Sequence, residues 1–142
     1  MQEKGNKEIA EAWLTNCRSA IAYGSDSVQA DGSFWAYEEL DKLCSTDPGR
    51  AVEIVRLIAQ QWPEDRVMFN LAAGPLEDLL VRHGPEVIDQ IEKLANDFDY
   101  FLFLVSGVWV DRMSPDTQAR VVRLIETVDA RGLVPNPQRG TH

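Results

Sequence analysis

Apolar residues recur at spacings of three and four along most of the chain. Ile9, Ala12, Trp13, Cys17, Ala20 and Ile21 form one such stripe, and Phe34, Tyr37, Leu40 and Cys44 a second. Ala51, Ile54, Val55, Ile58 and Trp62 make a third, followed by Leu76, Leu79 and Leu80. Val87, Ile88, Ile91, Leu94 and Ala95 continue the pattern, and Val121, Val122, Leu124, Ile125 and Val128 complete it. These spacings gather side chains on one face of a 3.6-residue helix, and they never alternate in twos over a strand's length. The run Phe101–Val105 is apolar on every side. With no partner strand in prospect, it reads as the central helix of the core.

Proline marks where these helices begin. Five of the seven prolines stand in Asp47-Pro48, Trp62-Pro63, Gly74-Pro75, Gly84-Pro85 and Ser114-Pro115. The first helical position suits proline, because its missing N–H has no partner there and its φ is already helical. Asp47 and Ser114 are suitable N-caps. Gly74 and Gly84 are placed to close a preceding helix in the left-handed conformation. The Gly24–Gly32 segment reads as a loop by composition. The expectation is therefore an all-α domain over residues 1–132, with about eight short helices packed antiparallel through short connections. Residues 133–142 carry two prolines and no periodicity and read as a flexible tail. Similar helical segments starting at Ala51, Val87 and Val121 are spaced near the ~34-residue period of helical-hairpin repeats. A HEAT-like stack and a compact helical bundle both fit.

Composition narrows the function classes. The 142 residues are 44% hydrophobic and 26% charged, as expected of a folded chain. Fourteen Lys and Arg stand against 23 Asp and Glu, for a net charge of −9. That balance argues against binding a phosphate backbone, which needs clustered cations. The polar, mixed-charge start does not resemble a secretory leader, and Phe98–Val110 falls short of the roughly 20 apolar residues a membrane span needs. A cytoplasmic protein with no membrane association is expected. Cys17 and Cys44 show no CxxC spacing and read as small core residues of a reducing compartment.

Candidate chemistry is sparse. His83 and His142 are the only histidines, and His83 reads as a helix-end residue. No nucleophile motif, metal-ligand spacing or phosphate loop occurs, so no enzyme activity, catalytic residue, metal or cofactor is expected. The acids are more informative. Glu38, Glu39 and Asp41 lie in a segment without a base; Glu77, Asp78, Glu86, Asp89 and Glu92 belong to a stretch opposed only by Arg82 and Lys93. Trp35 is turned about 100° from Phe34 and, if exposed, would anchor a contact beside these carboxylates. Trp13, Trp62 and Trp109 fall on apolar stripes and read as core.

Two stretches, Phe34–Ile58 and Leu71–Ala95, together resemble a bacterial family of small helical domains of unknown function. The marks are Gly74-Pro75-Leu76-Glu77, continued by Asp78-Leu79-Leu80, then His83-Gly84, Ile91-Glu92 and Val108-Trp109. The resemblance covers roughly Trp13 to Trp109. It implies a fold family and a bacterial source, and no activity comes with it. The expected function is protein binding: an immunity protein whose carboxylates occlude the basic cleft of a toxin or nuclease, with a helical scaffold or regulatory adaptor, of bacterial or phage origin, docking a host protein as the alternative.

Overall fold

The computed structural model describes residues 4–132, and the expected tail lies outside them. Its α-helices are α1 (Asn6–Tyr23), α2 (Val28–Asp31), α3 (Phe34–Thr46), α4 (Pro48–Gln60), α5 (Asp65–Leu71), α6 (Glu77–Asp97), α7 (Asp99–Val105) and α8 (Pro115–Ala130). A π-helical turn, Ala72–Leu76, joins α5 to α6 without a break. Among the described residues there is no strand. The fold is all-α, a compact helical bundle.

Helix α4 is the packing centre of the N-terminal half. Its proline start and the Asp47 side chain, which accepts the Arg50 N–H, nucleate it. Its stripe of Ala51, Val52, Ile54, Val55, Ile58 and Ala59 is fully excluded from solvent. α1 and α3 pack on one side of it, α6 and α7 on the other. Arg50 ties α4 to the chain start, donating to Asn6 Oδ1 at 2.7 Å and to the Lys4 carbonyl at 2.6 Å. Phe101–Val105 in α7 are all buried, as an all-apolar segment requires, with α4, α5, α6 and α8 around them. Each such large side chain contributes about 1.5–3 kcal/mol by leaving water.

Three local expectations are corrected. The 24–32 segment is more than a loop: Ser27 caps the helical turn α2, and buried Asn16 donates to the Ala30 carbonyl at 2.8 Å. After Trp62-Pro63 the helix begins only at Asp65. Trp62 itself ends α4 with φ 50°, a left-handed conformation costly for a bulky residue, while its ring packs on Phe103 at 5.4 Å. Gly74-Pro75 starts no new helix, and neither Gly74 nor Gly84 is left-handed. The Gly74-Pro75 pair lies inside the π turn, whose wider winding accommodates the proline ring. Gly84-Pro85 does open a new helical segment, as expected: α6 is two helices meeting at a kink at His83 (φ −130°, ψ 27°), which relieves the clash that Pro85 would make in a regular helix.

Electrostatic ties close the C-terminal half. Arg120 of α8 bonds Glu92 and Asp89 of α6. Arg131 donates to the carbonyls of Ala95 and Asn96, both at 3.2 Å, satisfying groups that the end of α6 would otherwise leave bare. No helix among the described residues is long and apolar enough to cross a membrane.

Candidate functional site

Between α1, α3 and the π turn lies a cleft of about 990 Å³. One wall is α1, contributing Trp13, Asn16 and Cys17; the other is α3, contributing Phe34, Tyr37 and Asp41. Gly74 and Pro75 of the π turn form part of the lining, with Asp78 from the start of α6. A π turn carries one extra residue in the helix, and such bulges recur at functional sites. Here it places the backbone of the Gly-Pro-Leu-Glu segment against the cleft.

The α3 wall differs from its expected orientation. Phe34 and Tyr37 were expected in the core, yet they are 43% and 48% exposed and stack on each other at 5.5 Å with an interplanar angle of 16°. The core face of α3 is instead Ala36, Leu40, Leu43 and Cys44. Small Ala36, with no exposed surface, is the inward residue of the first turn. Trp35, which was to anchor a contact only if exposed, is half-buried against the core with the Lys4 ammonium 5.2 Å over its ring. The exposed aromatics of α3 are Phe34 and Tyr37.

The expected acidic face divides into distinct sets. Glu38 and Asp41 are exposed, Glu39 half-exposed, and no cation among the described residues lies within ion-pair distance of the three. Glu77 is corrected: it is only 7% exposed, accepting the Trp109 N–H at 2.9 Å and pairing with Arg112 at 3.1 Å. Desolvation forces a buried carboxylate to find such partners. Asp78 pairs with Arg82 one turn on at 2.9 Å, and Glu86 with His83 at 3.1 Å. Asp89 and Glu92 meet at Arg120, which holds the Glu92 carboxyl below its ordinary range. Trp109, expected in the core, is 72% exposed, and Trp62 is partly exposed.

Both cysteines reach the cleft, and both are poor nucleophiles. Burial, then the nearby Asp78 and Asp41 carboxylates, push the Cys44 thiol up from 9.0 to about 12. Burial also raises Cys17, partly offset by a hydrogen bond from Asn70 at 3.5 Å. A reactive cysteine needs the opposite surroundings. Among the described residues no group of three or more His, Cys, Asp or Glu is placed to hold a metal ion.

Fold and cleft together define a small all-α domain with an aromatic and acidic groove. The chain belongs to the family of unknown function DUF6869, which matches residues 24–128. That span includes α2 to α7, nearly all of α8, and the Gly-Pro-Leu-Glu turn. No curated protein and no solved structure matches the chain.

Proposed function

We propose that this chain is a non-enzymatic protein-binding domain whose docking face is the outer side of α3 and the mouth of the adjoining cleft. The observation that carries this reading is the exposed, stacked Phe34–Tyr37 pair standing beside the unpaired carboxylates of Glu38 and Asp41. Helices of small domains ordinarily bury such rings, and exposed aromatics beside polar groups are the usual energetic centres of protein interfaces. With a net charge of −9, the fitting partner presents a basic surface, and complementary charge would speed encounter and reject acidic competitors. An immunity protein occluding the basic cleft of a bacterial toxin or nuclease is the specific form we favour, acting in the cytoplasm.

A helical scaffold or adaptor is the second reading. It draws on a separate exposed set, Trp62, Phe69 and Trp109, since an adaptor needs a second contact surface.

Capture from the source cell with the tagged chain, run beside a Phe34→Ala/Glu38→Lys variant, tests the docking face. A basic protein held by the native chain and lost with the variant supports it. Equal retention of every captured protein by both would overturn it. If the captured protein is toxic when expressed alone and harmless beside this chain, immunity is the function; if it is not toxic, the adaptor reading replaces it.

A further inference from the structure

Charge is not spread evenly along the cleft. Arg112 is engaged by buried Glu77, so its cation is already neutralised within the domain. Arg66 lies near Cys17, on whose thiol its charge acts. Asp41 and Asp78 lie near Cys44, on whose thiol both of their charges act. The Cys44 end thus carries the Asp41 carboxylate with no ion-pair partner among the described residues, while the charges acting on Cys17 are of both signs, Glu64 with Arg18 and Arg66.

The Cys44 end has further character. Phe34, Tyr37 and Asp41 follow one another at spacings of three and four on α3, hence on one helix face, and all three line the cleft. Two rings stacked on each other cover their inner faces and leave an outer ring face open, one turn from a carboxylate without a cation. Asp78 stands at the same end, held in place by Arg82, which also reaches Ser45 of α3 at 3.3 Å.

A platform of π-electron density leading to a carboxylate matches one side chain above others. Arginine is planar, stays charged at any physiological pH, stacks on aromatic faces, and offers a fork of N–H donors to carboxylate oxygens. Lysine supplies a charge without the plane, and an apolar side chain would leave Asp41 unpaired against it.

We propose that the cleft is an arginine-anchor site: an arginine side chain from the partner protein stacks on an outer ring face of the Phe34–Tyr37 pair and donates to Asp41. This deepens the protein-binding reading above by naming the residue that is read.

The test is an NMR titration of the full chain, labelled with 15N, using N-acetyl-arginine amide as the probe. N-acetyl-citrulline amide, of the same shape and uncharged, is the control. The arginine probe should move the amide signals of residues 34, 37, 41 and 78, and bind at least about fivefold more tightly than citrulline. Asp41→Asn should remove most of that preference, and Tyr37→Ala should weaken both probes. Both positions are exposed, so the variants are expected to keep the fold, which far-UV circular dichroism checks. Equal affinity for the two probes, shifts centred outside the cleft, or no shift at millimolar probe would each overturn the anchor site. The titration needs no partner, so its failure leaves the capture result standing. Conversely, arginine binding in the cleft with no basic partner recovered would keep the anchor and defeat the docking face.

Discussion

A side chain on Gly84 would collide with Thr117. A Cβ added there would stand 2.5 Å from the Thr117 Oγ1 and 2.9 Å from its Cγ2. Thr117 is itself buried, and its hydroxyl accepts from Ser114 at 3.0 Å, so α8 starts where α6 offers no side chain.

Gly84→Ala should therefore destabilise the domain by ~2 kcal/mol, measured as a lower urea midpoint, because a packed contact must spread to admit a methyl group. Adding Thr117→Ala should recover part of that loss, since the two side chains compete for one space. Strict additivity of the two changes would show that the contact is not what sets the cost.

Glu77 holds the loop after α7 against the start of α6. Glu77→Ala leaves the Trp109 N–H and the Arg112 guanidinium without their acceptor, and should cost about 2–4 kcal/mol in chemical denaturation. Glu77→Gln keeps one acceptor oxygen and should cost about half as much. A loss below ~0.5 kcal/mol for Glu77→Ala would mean that water replaces the carboxylate at no penalty.

Alkylation reads the buried thiols. With Cys44 raised to about 12, its thiolate at pH 8 is scarcer than that of an ordinary cysteine by a factor on the order of a thousand. Iodoacetamide should modify Cys44 far more slowly in the folded chain than in urea. The same shift predicts alkaline sensitivity. Because the folded value lies above the ordinary 9.0, the stability it contributes is complete below pH 9 and drains away as pH rises toward 12. Cys44→Ala should flatten that alkaline limb in a pH series of melting temperatures.

Acid acts through the opposite sign. Arg120 holds Glu92, and Arg18 holds Glu64, below the ordinary 4.5. Such groups stabilise the fold above that value and cease to as pH falls through their lowered range. Glu92→Gln should lose stability at neutral pH and show a smaller further loss on acidification than the native chain. The gap should narrow in high salt, because the pair is partly exposed.

The helical class was readable because burial and the 3.6 period coincide over α1, α4, α6 and α8. Orientation within α3 was not. Both Phe34–Tyr37–Leu40–Cys44 and Ala36–Leu40–Leu43–Cys44 have helical spacing, and large rings made the first set look like the core. The inward face was decided by how closely α1 and α4 approach, which favours alanine and is invisible in a periodicity. Of the two Gly-Pro pairs, the stop and start signal held at Gly84-Pro85, where the helix breaks at His83, and failed at Gly74-Pro75, where a π turn carries the helix through. Likewise, acids were legible as charges, but whether one lies inside, as Glu77 does, depends on Arg112 and Trp109 more than thirty positions away.

The π turn also acts as a buffer of length. An insertion absorbed in a single wide turn leaves the helices before and after it in their own phases, so the core contacts of α5 and α6 do not depend on the residue being there. Removing exposed Ala73, and keeping buried Ala72 and Leu76, is a shortening that leaves the bundle interior its side chains. What it would flatten is the bulging backbone at Gly74 and Pro75, and with it the shape of the cleft. A single-residue deletion at the π turn thus alters the shape of the cleft while leaving the helical core its contacts.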